Sequence, residues 1–483
     1  MTTKLNAVGV VGLGTMGAGI AEVFARTGIG VVGVEPEPAA LERGRGQVER
    51  STGRAVSRGR MSEDDQRSLI GRISFSSSLD DLDDVDLVIE AVPERMDIKA
   101  DLFGRLDAIC RPDTILATNT SSLSITEIAA TTTRPSKVVG MHFFNPAPVM
   151  RLVEVIHGIG TEAAVVGTVE ALARELGKTP VAVADRAGFV ANALLLPYLN
   201  RAVRLYGSGR ASREHIDTAM QVGAGLPMGP LTLLDMVGLD TSLHVLDRMY
   251  DETRDRRHAP APLLRQLVAA GHVGRKVGRG FYSYDGPGSR TVVAETSDPA
   301  AAQGNPPPQV TIAGGSGAVA AVCERAGVQI ADGASLTVHV ATGRAPLAAG
   351  AIGLHLLGPA GAPVLAEVVA GRTAAADATA GVRAICVAAE LSAIVTRDRA
   401  GYLFDALLLP HLGDAVAMVD DGYATEADVD RAMTLGCGYP AGPIAMLRAR
   451  GAADVLAGLA RIAEETGEPG DRPSPLLVEW ATA

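Results

Sequence analysis

A chain of 483 residues is longer than one hydrophobic core usually serves, and 47% hydrophobic against 20% charged residues describes a folded protein of three or four domains, not a disordered one. The net charge of −11 argues against nucleic acid or an anionic membrane surface as partner, and no run of about 18 uncharged apolar residues is present to span a bilayer. Cys110, Cys323, Cys386 and Cys437 stand far apart with no CxxC pair, so neither a disulfide frame nor a metal site is expected and a reducing cytoplasm fits.

The first predicted element is the β-branched run Ala7–Val11, which empties into Gly12-Leu13-Gly14-Thr15-Met16-Gly17 and then into an apolar stretch suited to a buried helix. Strand, tight turn and helix in that order make a pyrophosphate cradle. Gly12 permits the turn, Gly14 lets the backbone approach the phosphates, and Gly17 lets helix and strand pack closely. A second strand, Val31–Val34, ends at Glu35, whose carboxylate suits the ribose hydroxyls of an adenosine and repels a 2′-phosphate, so NAD is expected over NADP. Residues 39–60 follow, with Arg50, Arg54 and Arg58 recurring every four residues along one helix face and Ser51 beside them. That stripe admits two readings: a solvated helix face, or a clamp for a phosphorylated nucleotide tail such as that of coenzyme A.

Further along, Leu87–Ile89 ends in a turn carrying Glu90, Glu94 and Lys99, and Ile115–Ala117 ends in Thr118-Asn119-Thr120-Ser121-Ser122. Ligands of open α/β sheets gather at such carboxyl ends. Lys137–Met141 delivers His142, and Leu152–Ile156 carries Glu154, which makes the two neighbours on a sheet. A histidine that titrates near neutrality is a natural base for an alcohol, and a carboxylate on its other nitrogen fixes its tautomer. The quieter alternative is a packed histidine beside Phe143 and Phe144, and Asn192 could serve only to bond a helix end. Ser121, His142, Glu154 and Asn192 taken together, beside a dinucleotide turn, favour catalysis.

The chain also repeats itself. Gly140–Gly158 is echoed by Gly353–Gly371 at an offset of 213, and the same offset aligns residues 185–230 with 398–443 at 22 identities in 46 positions. His142 recurs as His355 and Glu154 as Glu367, whereas Ser121 becomes Ala334, Asn145 becomes Gly358 and Asn192 becomes Asp405. The first copy reads as chemical and the second as structural, with the persistence of the His–Glu pair itself partly structural. Val8 lies 113 residues before Ser121 but Val310 only 24 before Ala334, so the second copy has lost much of its nucleotide fold. No counterpart of the segment around Lys276 follows it.

GLGTMGAGIAEVFARTG, NTSSLSI, GMHFFNPAPVMRLVEV, DRAGFVANALLLPYLNRA and GAGLPMGPLTLLDMVGLD together resemble the NAD-dependent L-3-hydroxyacyl-CoA dehydrogenases, in order across residues 5–285. The resemblance implies a site of Ser121, His142, Glu154 and Asn192. It implies NAD contacts from Glu35, Glu94, Lys99, Ser121, Asn145 and Lys276, and coenzyme A contacts at Ser51 and Arg58. The expected activity is reversible oxidation of a 3-hydroxyacyl-CoA to the 3-ketoacyl-CoA, in fatty-acid or aromatic catabolism. A dehydrogenase of free hydroxy or sugar acids and a non-catalytic NAD- or acyl-CoA-binding protein are the alternatives.

The fold expected is an α/β Rossmann-type domain over residues 1–187 and an all-helical domain over 188–285 with amphipathic segments at 188–206, 212–222 and 231–250. A Pro-rich linker at 286–309, a shrunken, cofactor-free Rossmann-like remnant at 310–395 and a second helical domain at 396–483 follow, the two helical domains forming a pseudo-dimer within one chain, with a homo-oligomer possible beyond that.

Overall fold

The computed structural model describes residues 5–293, 305–315, 317–342, 346–358 and 362–483; most of the linker, 294–304, lies outside the described residues. The chain divides into two compact units. One comprises Met1–Ala193 with Gly422–Cys437, the other Leu194–Asp421 with Gly438–Ala483.

The first unit is built on eight strands: β1 (Ala7–Val11), β2 (Gly30–Val34), β3 (Ile73–Ser76), β4 (Leu87–Glu90), β5 (Ile115–Thr118), β6 (Val138–Phe143), β7 (Leu152–His157) and β8 (Thr179–Ala184). Their order is β3-β2-β1-β4-β5-β6-β7-β8, and all neighbours run parallel except β6 and β7. Strand order reverses between β1 and β4, the switch point at which such sheets open a crevice. Helices cover the sheet, so β4, β5 and β6 are buried along their whole length and read as continuous apolar runs. Val8, Val10, Phe24, Ile89, Met141 and Val153 belong to one core. The antiparallel pairing of β6 with β7 sets His142 directly across from Glu154.

In the second unit the sheet is reduced to β9 (Gln309–Ala313), β10 (Gln329–Ile330), β11 (Thr337–Val340), β12 (Ile352–Leu357), β13 (Leu365–Ala370) and β14 (Ser392–Arg397), ordered β10-β9-β11-β12-β13-β14. Among the described residues one strand, β11, stands between β9 and β12, where two stand between β1 and β6. Beyond that loss the copies keep step. Strands β13 and β14 begin and end 213 residues after β7 and β8, and the helix Phe404–Asp420 does the same after Ala191–Gly207. The short helix Glu426–Arg431 and the π-helical turn Ala432–Gly436 likewise match Arg213–Thr218 and Ala219–Gly223. Among the described residues the second copy is therefore a reduced Rossmann-like sheet followed by counterparts of the helices between 191 and 269.

Two local expectations change. The segment 231–250 is not one helix: Gly238, with φ of 104°, breaks it into Pro230–Val237 and Leu239–Thr253. The arginine-bearing helix spans Pro38–Ser57, capped by the Glu37 carboxylate on the N–H groups of Ala39 and Ala40, so Arg58 caps its end instead of extending its face.

In the second unit, Arg257 pairs with Asp414 and Arg201 with Asp471, and the rings of Tyr198 and His411 lie 5.2 Å apart. These contacts tie the helical region of the first copy to that of the second. No helix among the described residues is long and apolar enough to cross a membrane.

Candidate active site

The turn after β1 has the shape that a pyrophosphate needs. Gly12 adopts φ of 87° and its N–H donates to the Val34 carbonyl at 2.9 Å. A Cβ at Gly17 would stand 1.8 Å from the Gly12 oxygen, so only glycine lets the helix Thr15–Arg26 close on the turn. At Gly14, by contrast, a Cβ would meet nothing within 4 Å, and no side chain caps the helix there. Its first amides are left to a ligand, with Met16 partly buried behind them. Glu35 sits at the end of β2 and accepts the Leu13 N–H at 3.1 Å, which fixes its carboxylate beside the turn. These residues fit a dinucleotide.

The serine turn is organised from below by a buried charge network. Glu90, wholly buried, accepts from the Val92 N–H (2.6 Å), Lys99 Nζ (2.6 Å) and Thr118 Oγ1 (2.7 Å). Lys99 is 1% exposed and also lies 3.4 Å from Glu94, so it reaches the surface of the site only through that carboxylate. Glu94 Oε1 gathers the Thr120 hydroxyl (2.6 Å), the Ser121 and Ser122 N–H groups (2.8 and 3.0 Å) and the Ser121 hydroxyl (3.2 Å). Burial works against ionisation of Glu94, but Lys99 and these hydrogen bonds outweigh it and lower its pKa. Asn119, unassigned by sequence reasoning, accepts the Phe143 N–H at 2.8 Å and so joins the serine turn to the strand of His142.

His142 Nδ1 lies 2.7 Å from Glu154 Oε2, the histidine 7% exposed and the glutamate 0%. A neutral imidazole that donates from Nδ1 to a carboxylate has its acceptor at Nε2. Glu154 Oε1 accepts the N–H groups of Val190 (3.0 Å) and Ala191 (2.9 Å), where the helix Ala191–Gly207 begins. Half-buried Asn192 follows directly, in the first turn of a helix moored to the dyad. The rings of Phe144 and Phe189 lie 4.6 and 5.7 Å from the imidazole, and Phe189 takes φ of 48°.

Asn145 and Ser51 line one cavity of about 280 Å³, together with Thr15, Gly19, Arg50 and Arg54. Arg58 lies outside that lining. Lys276 belongs to the second unit, where both carboxylate oxygens of Asp240 hold its ammonium at 2.6–2.7 Å. Among the described residues no cluster of three His, Cys, Asp or Glu could hold a metal ion.

One element in the first unit was not foreseen. Gly422–Cys437, from the second copy, packs there: Tyr423 Oη donates to the Ala184 carbonyl at 2.9 Å, and Gly436 abuts Leu152 and Phe144. Burial, and then the charge of Glu154, push the half-buried Cys437 thiol up to about 12.

A sheet that reverses order at a glycine turn, with a buried histidine–carboxylate pair and a serine turn at its strand ends, defines a nicotinamide-dependent dehydrogenase. The family model for the 3-hydroxyacyl-CoA dehydrogenase NAD binding domain matches residues 7–186, and that for the 3-hydroxyacyl-CoA dehydrogenase C-terminal domain matches 188–284 and again 401–483. The 3-hydroxybutyryl-CoA dehydrogenase of Mycobacterium tuberculosis is 46% identical over 286 residues, 59% of this chain and 100% of that protein. The human mitochondrial hydroxyacyl-coenzyme A dehydrogenase is 43% identical over 285 residues, 57% of this chain and 90% of its own length. A crystal structure of 3-hydroxybutyryl-CoA dehydrogenase from Escherichia coli K12 covers 99% of both chains at TM-score 0.80 and 31% identity. The chain belongs to the 3-hydroxyacyl-CoA dehydrogenase family and is an NAD-dependent oxidoreductase.

Proposed function

We propose that this protein interconverts a (3S)-3-hydroxyacyl-CoA and the 3-ketoacyl-CoA, with a short acyl group as in the relatives named for 3-hydroxybutyryl-CoA, and serves fatty-acid or aromatic catabolism in the cytoplasm. The observation that carries this reading is the Glu154–His142 pair, formed in the same unit as the dinucleotide turn. NAD, when bound, supplies the two-electron acceptor for the hydrogen on C3. His142 Nε2 takes the proton of the 3-hydroxyl, and Glu154 stabilises the imidazolium. Ser121 holds the reacting oxygen, and Asn192 orients the acyl end. Gly12, Gly14, Met16, Gly17 and Glu35 hold the adenosine half of the cofactor, while Glu94 and Asn145 hold the remainder; Lys99 acts by fixing Glu94. Ser51, with the arginines around it and Arg58 at the helix end, receives the phosphates of coenzyme A. The helical halves of the chain form an internal pseudo-dimer, supported by the Arg257–Asp414 and Arg201–Asp471 ion pairs.

The test is NADH oxidation with acetoacetyl-CoA, run beside free acetoacetate, beside NADPH and beside the His142→Gln variant. Turnover confined to NADH and the CoA ester, and lost in the variant, is expected. Turnover with free acetoacetate alone would point to hydroxy acids, and none with either to a binding role.

A further inference from the structure

We infer that the second copy positions the dyad of the first: Gly436 seats Phe144 against His142, and the segment Gly422–Cys437 is a working part of the active site although it belongs to the degraded half. The inference rests on His142 acting as the base. A Cβ on Gly436 would lie 2.6 Å from Leu152 Cδ2 and 3.2 Å from Phe144 Cε1, so the absence of a side chain there is what allows the approach. Both partners bear on the dyad. Leu152 is a wholly buried residue of β7, two places from Glu154, and the Phe144 ring stands 4.6 Å from the imidazole. The Tyr423 hydrogen bond to Ala184 and the Arg186 guanidinium, 5.2 Å from the Tyr423 ring centre, anchor the other end of the segment on β8 and the turn after it. Cys437 closes the segment near enough to Glu154 for that charge to raise its thiol pKa.

The arrangement is reciprocal, and this supplies the control. In the second unit Gly223 occupies the matching place, where a Cβ would meet Phe404 at 2.7 Å and Leu365 at 3.0 Å, and His215 Nδ1 accepts the Val395 N–H at 3.2 Å. Each copy thus lends its π-helical turn to the other's dyad, but Ser121 and the dinucleotide turn share a unit with the first dyad, whereas Ala334 stands in the place of Ser121 in the second copy. A geometric error of about 1 Å in a reacting group can cost about a hundredfold in rate. A methyl at 436 should therefore reach the chemistry, and one at 223 should reach only the packing.

The experiment compares Gly436→Ala with Gly223→Ala in the full chain, once wild-type turnover of acetoacetyl-CoA with NADH has been established; absence of that turnover would instead sink the functional reading itself. Two quantities are read: kcat, and the NMR titration of the His142 imidazole in ¹³C-histidine-labelled protein, assigned by its loss in His142→Gln. Expected for Gly436→Ala are a kcat at least tenfold lower, an unchanged KM for NADH and a displaced His142 titration, against neither change in Gly223→Ala. Equal kcat and an undisturbed titration in Gly436→Ala, with only a lower Tm, would overturn the inference. Should that variant not fold, the same reading is taken on Gly436→Ala/Leu152→Val, which relieves the closer clash and keeps the contact with Phe144; a titration like that of Leu152→Val alone would overturn it equally.

Discussion

Two histidine–glutamate pairs lie in the two sheets at equivalent places. His355 Nδ1 is 2.7 Å from Glu367 Oε2, as His142 is from Glu154, and Glu367 Oε1 accepts the Leu403 and Phe404 N–H groups at 3.1 and 2.8 Å, as Glu154 accepts those of Val190 and Ala191. Even the strained residue is repeated, with Tyr402 at φ of 45° and its ring 5.4 Å from His355. What surrounds the pairs is not repeated. In place of Asn192 stands Asp405, locked by Arg450 at 2.6 and 2.8 Å, and Ala334 replaces Ser121. The carboxylate in both pairs satisfies the start of a helix and so clips helix to sheet, a structural duty that outlives catalysis. The proposed chemistry needs a hydroxyl, an amide and a cofactor turn as well as the pair, and Ser121, Asn192 and the glycine turn share a unit with the first pair.

The sharpest way to break this comparison is to remove both histidines in turn. His142→Gln should lower kcat about 10³-fold, within the range for loss of a general base, while His355→Gln leaves kcat within about twofold of wild type. Equal losses from the two substitutions would show that the second pair also serves the reaction.

A difference of the next size lies where Tyr198 of the first copy is matched by His411 of the second. Burial holds the His411 imidazole down to about 4, from an ordinary 6.5 and against a weak backbone contact at Leu194. Between those values the unfolded chain binds the proton and the folded one does not, so stability rises with pH through the window and is lost on acidification. The full loss is about 3 kcal/mol, at about 1.4 kcal/mol per pKa unit. His355 has the opposite sign. Burial disfavours its proton, yet the hydrogen bond and charge of Glu367, with Asp405 beyond, raise its pKa above 6.5, so its contribution is present at low pH and fades as pH climbs. Denaturant unfolding from pH 7 to pH 4 should thus find His411→Phe losing less stability than wild type. An identical acid response in both would place the sensitivity elsewhere.

Much of this was legible because it is local or periodic. The glycine turn, the apolar runs that become β1, β4 and β5, and the register that opposes His142 to Glu154 follow from strand patterning, and the 213-residue repeat survives in the element boundaries themselves. Long-range packing left no such trace. Lys99, expected at the cofactor, lies buried against Glu90 nine residues away, a pairing that strand patterning does not announce. Gly436 lies in a glycine-rich stretch that signals a turn, with nothing to say that its neighbours are Phe144 and Leu152. Gly238 was the one missed break with a visible cue, a glycine inside an otherwise helical run.

The finest test separates the two duties of one carboxylate. Glu154→Gln and Glu367→Gln each keep an oxygen for the helix amides but exchange a charged acceptor for a neutral one, and each should cost about 1–2 kcal/mol of stability. Only Glu154→Gln also withdraws the charge that steadies an imidazolium during turnover, so it alone should lower kcat, by about ten- to a hundredfold. If the carboxylates are mainly helix clips, the two Tm shifts will match while the rates diverge; if Glu367→Gln leaves Tm untouched, the structural account of why the second pair persists fails.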